Sequence, residues 1–205
     1  LQTGFEDNPL FDQWHEWSLG VNISQVHSPA LEAMLYNEAA CLIKMAEMLD
    51  EHSSLTLLHE QAAKLRASIE STWQARTGLY HYRERGTGLS LAGKVLVRQQ
   101  GSGTATPKIK FEGQIRLLVE IQTQSAGAKR PLIRIHEFSS KPADEVIESG
   151  DYQWRSGGAM YTTKKTFSKL AKVSVRGLSD EDTVIISTLD YTTEDHTLFA
   201  PLWAG

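Results

Sequence analysis

A single cysteine, Cys41, stands among the 205 residues, so the chain can form no internal disulfide and no thiolate metal cluster. That usage fits a reducing compartment, and a cytoplasmic location is expected. No apolar run reaches the roughly 20 residues of a membrane-spanning helix. No signal peptide is visible, so no membrane partner is expected. Basic side chains are not in excess: 21 Lys and Arg against 25 Asp and Glu give a formal charge of −4, which makes nucleic acid a poor partner. The seven histidines show no metal-ligand spacing. His59-Glu60-Gln61-Ala62-Ala63 lacks the second histidine of a zinc-protease helix. Serine and cysteine nucleophile signatures are absent. Gly88 to Val95 nearly matches a phosphate-binding loop, but Val95 stands where the metal-binding hydroxyl belongs. No metal and no cofactor are expected.

What is present is enough to build a core: 40% of the residues are hydrophobic and 22% charged. Charge is unevenly spread. Residues 1–93 carry 12 acidic and 6 basic side chains, a net of −6, whereas residues 94–205 carry 13 and 15, a net of +2. The hydrophobic period changes at the same place. Ser28 and Pro29 make a helix start, the first as a cap and the second in the first turn. Leu31, Leu35, Leu42, Met45, Ala46 and Leu49 then recur at helical spacing, predicting a helix over about 29–50 with Cys41 as a small buried residue. Leu58, Ala62, Leu65, Ile69 and Trp73 mark a second helix over roughly 54–73, closed by Gly78 and a short extended piece, Leu79 to Tyr82.

From Lys94 the period is two. Residues 114–122, 131–138, 159–167, 171–176 and 183–191 alternate as strands, with turn signals at 101–103, 149–151 and 177–180. The expected class is α+β, with helices followed by an antiparallel β-sandwich. The boundaries fall at 1–93 for the helical part, 94–192 for the β-domain and 193–205 for a return to the first part.

Chemistry concentrates near the start. Glu6, Asp7 and Asp12 put three carboxylates in seven residues, beside Phe5 and Phe11. Cleaving a glycosidic bond needs a protonated carboxylic acid to give its proton to the leaving oxygen. An aromatic wall desolvates such an acid and keeps it protonated, and also stacks on a sugar face. A turn with capping carboxylates fits the composition as well. His15 and Trp17, next to Trp14, are candidates to line a sugar pocket, and Trp14 and Trp17 fit equally a plug at the end of a helical barrel. Trp154 and Tyr161 read as core or surface ribbon of the β-domain rather than as a sugar platform. Asp195 and His196 either reach a site or, as the better reading, form a polar turn before an apolar segment.

Gly4-Phe5-Glu6-Asp7-Asn8-Pro9, followed by Phe11-Asp12, resembles the Gly-x-Asp-Asn-Ser-Pro-x-Phe/Trp-Asp segment of glycoside hydrolase family 63 and its relatives. These include processing α-glucosidases, mannosylglycerate hydrolases and, more distantly, trehalases. Glu38 to Leu49 is similar to the family's Glu-x-x-x-Leu-Ala-x-Ile-Ala-x-x-Leu helix. Trp73 with Thr77-Gly78-Leu79-Tyr80 resembles its Trp-Asp-x-x-Thr-Gly-Phe-Tyr close. Asp195 to Gly205 resembles the family's return to its barrel, where an apolar Pro-Leu-x-Ala-Gly stretch begins the next helix.

The resemblance implies part of an (α/α)6 helical barrel, a six-hairpin toroid, interrupted by an inserted β-domain. It implies inverting hydrolysis of an α-glycoside, with an oligosaccharide or glycoside as substrate and the remainder of its own barrel as partner. Glu6 takes the general-acid position, where the family has Asp, and Asp7 is the fallback. Glu32 holds the place of a sugar-contacting residue early in the first helix. A carboxylate favoured by the helix dipole is the other reading of Glu32. The general base is expected beyond Gly205, both termini are read as cuts, and the chain is expected to be inactive alone. The alternative function is a non-catalytic carbohydrate- or protein-binding β-module on a helical scaffold.

Overall fold

A computed structural model describes residues 25–124, 130–137, 144–155 and 157–191. Among them the chain is mixed α+β, with two helices and antiparallel sheets, and it falls into two compact units, 25–90 and 91–191. Among the described residues no helix is long and apolar enough to cross a membrane.

The first unit opens with strand β1 (Val26–His27) and helix α1 (Pro29–Met48). Ser28 caps α1 as its sequence suggests: its Oγ accepts the Leu31 N–H at 3.3 Å, and Pro29 occupies the first turn. Helix α2 (Leu55–Ser71) returns after a short turn. Ala39 and Ala46 of α1 and Ala62 of α2 are the buried helical positions, so small side chains make the contact between the helices.

The exposure of α1 corrects the expected core. Leu35, Leu42, Met45 and Leu49 are exposed, Met48 reaches 86% and Leu49 78%. Cys41 is exposed too. It follows Ala39 by two residues, about 200° around the helix, so it points away from the buried stripe. Trp73, placed at the end of the α2 stripe by its spacing, instead belongs to strand β2 (Trp73–Gln74). That strand pairs with β3 (Leu79–Tyr80), and the Trp73 and Tyr80 rings meet edge-on at 4.9 Å. Gly78 makes this turn in the left-handed region, φ +69°. Strand β4 (Arg83–Glu84) pairs back onto β1.

The second unit holds β5 (Val95–Gln100), β6 (Gly103–Ala105), β7 (Ile109–Ile115), β8 (Leu117–Gln122), β9 (Leu132–His136), β10 (Glu145–Ile147), β11 (Gln153–Arg155), β12 (Gly158–Thr162), β13 (Phe167–Leu170), β14 (Lys172–Arg176) and β15 (Thr183–Thr188). A five-stranded sheet runs in the order β11-β12-β8-β15-β5, and a four-stranded one in the order β10-β9-β14-β6. A separate ladder joins β13 to β7. Leu117, Val119, Ile121, Val184 and Ile186 on the larger sheet, and Ile133, Ile135, Ile147 and Val173 on the smaller, are wholly buried. Their spacing of two is the alternation visible in the sequence.

Three carboxylates of this unit are buried, Glu137, Glu145 and Asp182, and the first two tie strands together. Glu145 Oε1 accepts the Tyr161 hydroxyl at 2.7 Å and the Lys164 N–H at 2.8 Å, while Oε2 accepts the Lys165 N–H at 2.9 Å. Because Tyr161 lies in β12 and Glu145 in β10, the bond spans from one sheet to the other. The Tyr161 hydroxyl is held above its ordinary range, first by burial and then by its bond to Glu145. Glu137 Oε1 accepts from Ser168 N at 2.7 Å, Ser168 Oγ at 2.6 Å and Lys169 N at 3.3 Å, which fastens the end of β9 to β13. Burial works to raise the Glu137 carboxyl, but these donors and the Lys169 charge outweigh it and hold it below the usual carboxylate range.

A carboxyl whose folded pKa lies below its unfolded value adds stability above the unfolded value and loses it as pH falls through the folded one. Glu137→Gln is therefore expected to cost about 1.5–3 kcal/mol at neutral pH. The gap between variant and parent should shrink below about pH 4.3, where the unfolded carboxyl protonates. Urea unfolding across pH 2.5 to 7 checks both statements, and a gap that does not change with pH would assign the loss to packing instead.

Candidate functional site

Phe5, Glu6, Asp7, Trp14, His15 and Trp17, the residues on which the expected chemistry rests, lie outside the described residues, as do Asp195 and His196. Of the candidate set, Glu32 is described. It sits in the first turn of α1, where the helix dipole favours a carboxylate, and its own N–H donates to Ser28 O at 2.9 Å. The carboxylate is not out in solvent as a simple dipole-favoured group would be: its side chain is only 14% exposed.

Glu32 Oε1 lies 2.9 Å from His27 Nδ1, and Ser68 Oγ of α2 lies 3.2 Å from the same nitrogen. A carboxylate only accepts, so Nδ1 carries the proton and Nε2 is left as the second ring position. Both polar neighbours address one nitrogen. A relay would need the serine and the carboxylate on opposite sides of the ring, so this cluster is not a nucleophile–base–carboxylate triad. Mechanically it ties β1 to both helices. Glu32 Oε2 is buried and has no hydrogen-bond partner among the described residues, so the group keeps one unused acceptor.

Glu32 also lines a groove of about 500 Å³ between α1 and α2. Leu35, Leu42 and Leu65 give it apolar walls, and Glu32, Lys64 and Ser68 give it polar ones. Such a mixture is what small-molecule sites present. No sequence signal pointed to His27 or Ser68, because their proximity depends on the way the hairpin folds back, 41 residues apart. Among the described residues no three His, Cys, Asp or Glu side chains gather as a metal site requires.

The near-match to a phosphate loop is accounted for by packing. The Lys94 N–H donates to Thr188 Oγ1 at 2.9 Å and the Thr188 N–H to Lys94 O at 3.0 Å, which sews this segment to β15. A Cβ on Gly93 would meet Asp190 Oδ2 at 3.0 Å, and a carboxylate there repels phosphate. In the β-unit Tyr161 is buried, as core, while Trp154 is 37% exposed and donates its indole N–H to Ser149 O at 3.0 Å. No protein-family model matches the chain, and neither a curated protein nor a solved structure matches it.

The His27–Glu32 geometry has a direct spectroscopic consequence. Neutral His27 is expected in the Nδ1–H form, and Glu32→Gln should move it toward the commoner Nε2–H form. Ring nitrogen shifts in a ¹⁵N-labelled sample report the tautomer. An Nε2–H ring in the unmodified chain would contradict the arrangement.

Proposed function

We propose that the chain is part of an inverting glycoside hydrolase acting on α-glycosidic bonds, with an α-glucoside-like substrate. In this proposal residues 1–93 and 193–205 contribute to an (α/α)6 barrel, and residues 94–192 are an inserted β-domain. Glu6 protonates the leaving oxygen. A second carboxylate, supplied from outside this chain, activates water on the opposite face of the sugar at a separation of roughly 6.5 to 9.5 Å.

The observation that carries the proposal is the order of three segments. The acidic–aromatic loop at Gly4 to Asp12 comes first, the hairpin α1–α2 second, and the Trp73 to Tyr80 turn third. Each has the residue pattern of the resembled family, and the hairpin is the repeating unit of such a barrel. The exposed side of α1 adds support. Leu35, Leu42, Met45 and Leu49 form an apolar strip that a lone hairpin leaves in water, whereas a neighbouring hairpin would cover it. Glu32, on the wall of the groove between the helices, suits a role in holding sugar hydroxyls.

Two experiments in the full-length parent test this. Glu6→Gln should lower turnover by about 10²- to 10⁴-fold on substrates with poor leaving groups, because the amide cannot donate the proton. Activated leaving groups should suffer much less, and Asp7→Asn should cost less than Glu6→Gln. If Asp7→Asn is the more severe change and only its defect is relieved by an activated leaving group, the acid is Asp7. If neither matters, the loop is structural and the enzyme proposal falls.

Met45→Glu addresses the architecture. It should be almost neutral in the 205-residue chain, where Met45 is already 59% exposed. In the parent it should cost about 1.5–3 kcal/mol, the worth of a buried apolar side chain. Equal effects in the two contexts, read by thermal unfolding, would count against a covering hairpin.

A further inference from the structure

The two-residue alternation of β7 and β13 sets lysines against each other. Lys110 and Lys169 are direct cross-strand partners, both exposed, beside the Ile109–Leu170 pair. Side chains opposed in this way have their Cβ atoms about 4.5–5.5 Å apart, and like charges there are destabilising. Lys108 and Lys172 join them around one groove of about 590 Å³ whose floor includes buried Leu170. Lys108 stands in the left-handed region at φ +51°, where a residue of its kind is uncommon.

Four lysines thus line one concavity, and among the described residues none of their ammonium groups makes an ion pair or a hydrogen bond. The nearest acids are otherwise engaged or set aside. Glu137 acts on Lys169 electrostatically, but its Oε1 is occupied by Ser168 and the Lys169 N–H. Glu112 lies on the same face of β7, one step beyond Lys110, and does not line the groove.

We propose that this groove is a binding site for a small polyanion bearing tetrahedral oxyanions, phosphate or sulfate. The proposal rests on the β-unit alone and is independent of the glycosidase reading. Lysine serves such groups as a mobile point charge, without the planar fork that arginine offers to carboxylates. The volume is that of a small-molecule site. No aromatic side chain lines the groove, so it lacks the stacking platform of a single-stranded nucleic-acid groove. A bound anion would relieve the repulsion between Lys110 and Lys169, which makes the arrangement favourable only when occupied.

The test uses the 205-residue chain, titrated by calorimetry with inorganic tripolyphosphate, with a sulfated disaccharide and with a short single-stranded oligonucleotide. Saturable binding of one tripolyphosphate or one disaccharide per chain is expected, and the tighter of the two identifies the anion. Lys110→Glu should weaken it at least about tenfold, the loss of one charge-assisted contact. The same substitution should raise Tm of the unliganded chain by about 1–4 °C, because it turns an opposed like pair into an opposite one. Lys172→Gln, at an exposed position, should also weaken binding, whereas Lys44→Glu on α1 should not. Affinity unchanged by both groove substitutions, or no saturation by either small anion, would overturn the proposal. So would an oligonucleotide that binds more tightly than both small anions and shows the same lysine dependence.

Discussion

Tyr161 and Glu145 meet across the interior of the β-unit, and their 2.7 Å hydrogen bond fixes how far apart the two sheets stand. Apolar contact alone is tolerant of sliding, since any greasy face packs against any other. A buried carboxylate is not tolerant, because leaving it without donors costs several kcal/mol. Glu145 takes its donors from both directions, the hydroxyl from β12 and two backbone N–H groups from the turn at Lys164 and Lys165. One residue thereby sets the sheet separation and the path of the chain into β13. Glu137 does the same for the other end of β13 through Ser168 and Lys169, so that strand is suspended between two carboxylates. The lysine groove is built on the strand so held.

The helical unit depends on a different balance. Its contact surface is alanine, which brings helices close but buries little area. Most of the large apolar side chains of α1 remain outside. The exposed strip and the groove beside Glu32 are two sides of the same fact: the hairpin spends little of its hydrophobic content on itself.

Much of this was legible in the residues. The Ser28–Pro29 cap, both helices, the switch of period near residue 94 and the central strands β8, β9, β14 and β15 follow from local pattern. Strand β5 has a clear Val95-Leu96-Val97 start, but the glycine and serine residues on both sides of it read as loop. Short strands such as β10 and β11, at three residues each, have too few alternations to register. The core of α1 was misjudged for a physical reason. Periodicity tells which residues share a face, but not whether a partner exists to cover that face. Leu42 lies on the same side as Ala39 and Ala46 and stays exposed on the wall of the groove, because the hairpin closes only on the alanines. Of the candidate site, Glu32 was found from the resemblance, whereas its link to His27 and Ser68 is tertiary and carries no local signal. The paired lysines of β7 and β13 were hidden for the same reason, since a cross-strand register cannot be read from either strand alone.

The lengths of the outermost strands bear on how the molecule behaves in a crowded solution. A sheet rim is a row of unsatisfied donors and acceptors that another chain can extend. Three of the four rims of the two larger sheets, β6, β10 and β11, are only three residues long, too short to template a foreign strand. The fourth, β5, is six residues long, yet its pairing with β15 slips between Ile186 and Ser187. The irregularity bends the strand where a flat edge would be most adhesive, and Arg98 projects a charge beside it. The two larger sheets thus present little adhesive border, and the long edge among the described residues is β7, seven residues paired by β13 alone, where exposed Lys108 and Lys110 place charge along the rim.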